Sequence, residues 1–84
     1  MLEHVNIPSR DDVAAVLRKL IAGELSAEAA SNWASGWLPR SDDIDDLKVL
    51  RAIEAIGGAD LPSTDRQYLY GRIDFEKWLD ELTR

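Results

Sequence analysis

The chain has no cysteine, a single histidine, His4, and no uninterrupted apolar stretch approaching the ~20 residues of a membrane span. The first absence removes disulfides, thiolate metal sites and a cysteine nucleophile, and it fits a reducing compartment such as the cytoplasm. The second leaves a Ser-His-acid unit without support. Ser26, Ser31 and Ser35 have no histidine on their own helical segment, and His4 lies on an N-terminal arm with no second histidine at ligand spacing. With no catalytic constellation left, the chain is expected not to be an enzyme and to need neither metal nor cofactor. The opening Met1-Leu2-Glu3-His4-Val5-Asn6 lacks a basic n-region and an apolar h-region, so neither a signal peptide nor a membrane anchor is expected.

Basic side chains are also scarce: 10 Lys and Arg stand against 16 Asp and Glu, for a formal charge of -6. Nucleic-acid affinity rests on neutralising phosphates with Lys and Arg. The balance therefore predicts no direct binding to DNA or RNA, and a basic protein as the complementary partner. At 84 residues the chain is expected to be one domain, because a second core would need ~50 residues more.

What the sequence does contain is helical periodicity with stops. After an arm over 1–8, Ser9 is an N-cap with Asp12 in the box position, Val13, Val16, Leu17, Leu20 and Ile21 make one stripe, and Gly23 ends it. Ser26 caps a second segment, with Ala30, Trp33, Ala34 and Trp37 at i, i+3, i+4, i+7 and a stop near Leu38-Pro39. A third runs from Ser41 or Asp42 through Ile44, Leu47, Leu50, Ile53 and Ile56 to Gly57-Gly58. In the last, Asp74 is the cap, Phe75, Trp78, Leu79 and Leu82 form the stripe, and Ile73 is placed to staple onto Trp78. The spacing predicts helices over 9–22, 26–38, 42–56 and 74–82, hence an all-α, compact antiparallel bundle of about four helices. Leu17, Leu20, Trp33, Leu50, Ile53, Trp78 and Leu79 are the expected core. The segment 59–73 gives no clear signal, and the competing arrangement adds a small β-pair from 2–7 and 68–72.

One block concentrates the charge. Asp42, Asp43, Asp45 and Asp46 put four carboxylates into five residues at the expected start of the third helix. Helix-dipole and capping effects, worth roughly 0.3 to 1 kcal/mol each, account for two of them. The other two are excess, which leaves open a docking surface for a basic partner. Calcium does not fit: in an EF-hand register from Asp43, position 5 is Leu47 and position 6, which must be glycine, is Lys48. Among the aromatics, Trp33 and Trp78 are core candidates, while Trp37, beside Gly36 and Pro39, is a candidate interface anchor.

The run Ile21-Ala22-Gly23-Glu24-Leu25-Ser26-Ala27-Glu28-Ala29-Ala30, followed by aromatics at helical spacing, resembles small acidic bacterial immunity proteins of the colicin D immunity type. That resemblance implies a helical bundle that binds and neutralises a cognate toxin, commonly a nuclease with a basic active site. The partner-binding candidates are then Asp42, Asp43, Asp45, Asp46 and Trp37, with Glu76, Asp80 and Glu81 on the last helix as a second acidic patch. The alternative is a stand-alone structural or regulatory module that binds another protein through a hydrophobic groove.

Overall fold

A computed structural model describes residues 7–84, so His4 and most of the expected N-terminal arm lie outside the described residues. The described chain is all-helical, with four α-helices, α1 (Arg10–Ala22), α2 (Ala27–Ser35), α3 (Leu47–Gly57) and α4 (Arg72–Thr83), and a 3-10 helix over Leu38–Asp43. Helix α1 packs mainly against α4 and α2 mainly against α3, while α3 touches every other helix and forms the centre of the bundle.

The first two helices begin as their caps dictate. Ser9, in an extended conformation, accepts from the Asp12 N–H at 3.1 Å, and Asp12 accepts from the Ser9 N–H at 2.9 Å. This box satisfies two backbone donors that a helix start otherwise leaves unpaired. At the other end of α1, Gly23 takes the left-handed conformation with φ 75°. Ser26 caps α2 through the Ala29 N–H at 3.1 Å. Helix α2 then stops at Ser35, three residues before the expected end. The cause is Pro39: its ring collides with the carbonyl four residues back, which is that of Ser35, and it offers that carbonyl no N–H.

The expected third helix is corrected at its start. Asp42 and Asp43 close the 3-10 helix, the chain runs extended through Ile44, and α3 begins only at Leu47, capped by Asp46. Four carboxylates within one helical turn would repel each other, and Asp favours caps over helix interiors. Only the last of them therefore caps the helix. The turn also buries Ile44 against the core.

Helix α4 begins two residues early. Gly71 is the N-cap residue and Asp74 occupies the third helical position, accepting from the Gly71 N–H at 2.9 Å, so Asp74 is the reciprocal member of the box and not the cap. Ile73 is 81% exposed and staples onto nothing.

Leu17, Leu20 and Ile53 are buried as expected, whereas Trp33, Leu50, Trp78 and Leu79 are half-buried and pack on the outside of the core. Val13, Val49, Ile56 and Leu82 fill the interior in their place. Ala30 and Ala34 are fully buried on α2, and residues that small bring two helices too close for an indole to lie between them. The connection 58–71 is built of turns and bends, with one antiparallel bridge between Pro62 and Tyr68 and a 2.8 Å bond from the Leu69 N–H to the Leu61 carbonyl. Of the β-pair considered between 2–7 and 68–72, residues 2–6 lie outside the described residues, Tyr68 bridges Pro62 and Arg72 begins α4.

Candidate functional site

The two acidic patches expected to dock a partner are largely engaged within the chain. Asp46 accepts from the Lys48 N–H at 3.0 Å and pairs with Arg10, whose Nε lies 2.5 Å from its carboxylate. The Arg10 guanidinium, helped by that backbone N–H, holds the Asp46 carboxyl below its ordinary value. Asp43 pairs with Arg40 at 3.6 Å. On α4, Glu76 pairs with Arg72 at 3.3 Å and Asp80 with Arg84 at 2.5 Å, each four residues apart along the helix. Asp42 and Asp45 are exposed, and Glu81 faces a cleft between α3 and α4.

That cleft, of about 220 Å³, was not anticipated from the sequence. Lys48 and Arg51 of α3 line one wall, Trp78 and Glu81 of α4 the other, and Ala52 and Ala55 form the floor. Two cations against one anion reverse the sign of the chain as a whole. Arg51 makes no ion pair among the described residues, while the Lys48 ammonium is engaged by a main-chain oxygen of Arg84 at 2.5 Å. An ammonium carries three donors, so two remain for a ligand. Trp78 is fixed by its neighbours, with the Tyr70 ring edge-on at 5.1 Å and 67° and the Phe75 ring at 5.4 Å and 54°. Tyr70 is therefore the tyrosine of the aromatic cluster. Tyr68 is bonded through its hydroxyl to Glu28 of α2. The signal that could have exposed the cleft is the stripe Lys48, Arg51, Ala52, Ala55, in which small residues follow cations on one face and leave a depression between helices.

A second groove, of about 320 Å³, lies between α1 and α2 and is lined by Pro8, Val16, Lys19, Trp33 and Trp37. Trp37, the expected anchor, is half-buried there. Among the described residues no group of His, Asp or Glu side chains is placed to hold a metal ion, and no helix is long and apolar enough to cross a membrane.

No curated protein and no solved structure matches the chain. One family model does, over residues 6–82, and it is described as YxzC DNA-binding protein. The match takes in the whole fold but the last residue of α4 and overturns two expectations. The resemblance to colicin D-type immunity proteins, carried by the run 21–30 and the aromatics that follow it, gives way, and with it the neutralisation of a basic nuclease toxin. The expectation of no nucleic-acid partner, drawn from net charge, is likewise contradicted. Net charge averages over a surface, and here the average conceals a locally cationic cleft.

Proposed function

Because the chain belongs to the YxzC DNA-binding protein family, we propose that it is a small regulatory module that binds DNA in the cytoplasm, performs no chemistry, and meets the phosphates at Lys48 and Arg51. The family match carries this reading. The α3/α4 cleft supports the placement: its two cations stand one helical turn apart on the helix at the centre of the bundle, and Arg51 makes no ion pair among the described residues. With so few contacts the affinity is low. Each neutralised phosphate contributes about 0.7 (single strand) to 0.9 (duplex) to the slope of log K against log salt, so two contacts give a slope of roughly -1.4 to -1.8, and binding weakens as salt rises.

A protein contact in the α1/α2 groove is the second reading, favoured by the two half-buried indoles of Trp33 and Trp37 on one rim. It is compatible with DNA binding at the opposite helix pair, as expected of a regulatory module.

The deciding measurement is fluorescence anisotropy of labelled, sequence-mixed DNA, single- and double-stranded, titrated with the purified chain at low and at physiological salt. Saturable binding at low salt that weakens with the stated slope supports the reading. Absence of binding to both forms at low salt would overturn it.

A further inference from the structure

We infer that the α3/α4 cleft is a single-strand site, in which one base of an unpaired strand stacks on Trp78 while Lys48 and Arg51 hold the flanking phosphates. This rests on the DNA-binding reading above and specifies the form of DNA.

The first argument concerns what the helices cannot do. Readers of the duplex major groove insert a helix whose N-terminal residues touch base edges, between strands that together carry one negative charge per ~1.7 Å. Every α-helix here begins with acid: Asp11 and Asp12 on α1, Glu28 on α2, the Asp46 cap behind Asp42, Asp43 and Asp45 on α3, and Asp74 on α4. Any of them driven N-terminus first into a groove would press carboxylates against phosphates. The cations of the cleft, Lys48 and Arg51, lie instead on the side of α3 that faces α4.

The second argument is the composition of the cleft. Sequence-tolerant single-strand sites combine cations that follow the backbone with an aromatic face on which a base stacks. Lys48, Arg51 and Trp78 supply both within one depression. Its volume of about 220 Å³ is below the ~300 to 1,000 Å³ typical of a pocket that encloses a whole small molecule, which suits one planar ring with its phosphates outside. Tyr70 and Phe75 already hold the Trp78 ring, so stacking orders no further side chain. Glu81 is the one opposing charge in the lining, and it can accept a hydrogen bond from an exocyclic amino group of the base.

The test compares a labelled single-stranded oligonucleotide with the duplex of the same sequence. The single strand should bind more tightly, with a log–log salt slope of about -1.4 from two phosphate contacts, and should quench tryptophan fluorescence. Lys48→Gln with Arg51→Gln, both on a solvent-facing cleft wall, should bring that slope towards zero. Trp78→Leu should lower affinity by about 5- to 150-fold, the usual worth of one stacked base, and abolish the quenching, which Trp33→Phe should leave intact. If Trp78→Leu does not fold, the slope of the double variant and the quenching of the parent still decide the question. A duplex bound as tightly as the single strand would overturn the single-strand site and leave the DNA-binding reading standing; a double variant with the parent's slope would overturn both the single-strand site and the placement of the phosphates at Lys48 and Arg51, leaving DNA binding elsewhere on the surface. Binding to neither form would overturn the single-strand site and the DNA-binding reading alike.

Discussion

The hydroxyl of Ser31 on α2 donates to the carbonyl oxygen of Gly57, the last residue of α3, at 2.8 Å. Ser31 is the one polar side chain buried among the described residues. The bond satisfies one of the carbonyls that a helix end leaves without an intrahelical partner, and it ties α3 to a helix whose other buried residues are the small Ala30 and Ala34. Ser31→Ala should cost about 1 kcal/mol and lower the thermal midpoint by roughly 4 to 8 °C. A midpoint equal to the parent's in a melt followed by circular dichroism would show that the Gly57 carbonyl does not depend on this bond.

Two glycines separate backbone strain from crowding. A Cβ at Gly23 or at Gly71 meets nothing within 4 Å, but only Gly23 has positive φ. Gly23→Ala should therefore destabilise by about 1 to 2 kcal/mol, while Gly71→Ala should be neutral or slightly stabilising. Urea unfolding of the pair checks the contrast, and equal midpoints would contradict the left-handed cap of α1.

Leu17 is fully buried between α1 and its neighbours, so Leu17→Ala should cost about 2 to 5 kcal/mol, a large part of the stability of so small a domain. Ile73→Ala, at a position 81% exposed, should stay within about 0.5 kcal/mol of the parent. A large loss at Ile73 would mean that it packs onto Trp78 after all.

Stability should fall at both extremes of pH for identifiable reasons. The Tyr68 hydroxyl holds Glu28 below its ordinary value, and Glu28 holds Tyr68 above its own. The Glu28 contribution is present above the ordinary glutamate value and lost as pH falls through the depressed one. The Tyr68 contribution is present below the ordinary tyrosine value, about 10, and lost as pH rises through the raised one. Tyr68→Phe should flatten both limbs. Arg10→Ala should flatten only the acid limb, because Arg10 depresses Asp46 and that contribution too is lost below about pH 4. Thermal melts across pH, with tyrosinate absorbance for the alkaline limb, measure each.

The acidic block should oppose DNA binding. Asp42→Asn, Asp43→Asn and Asp45→Asn together, with the Asp46 cap retained, should strengthen binding of the labelled strand. The gain should shrink as salt rises, because charges near the cleft are screened beyond ~8 Å at physiological ionic strength. Unchanged affinity at low salt would place the DNA far from the start of α3.

Much of the fold was legible because its signals are local. Ser9 with Asp12, Gly23, and Ser26 act within one turn of themselves, and the chain obeys them in the structure. The start of α3 was misplaced where four aspartates competed for one cap, and that of α4 because Asp74 binds the Gly71 N–H from the third helical position instead of capping the helix itself. Which of four aspartates caps α3 depends on the partner each finds, and Asp46 alone has Arg10, 36 residues away, beside it. Burial of the tryptophans was misjudged for a related reason. An apolar stripe tells which face turns inward, but the separation of α2 and α3, set by Ala30 and Ala34, decides whether an indole enters the core or lies on its rim. The candidate site is the extreme case. Lys48, Arg51 and Trp78 are ordinary residues on two helices separated by the 58–71 connection, and no spacing links them. The amino-acid order determined the helices and the acidic net charge; only the packing of α4 against α3 brought two cations and an indole together, because a site built across helices exists only once their axes are fixed.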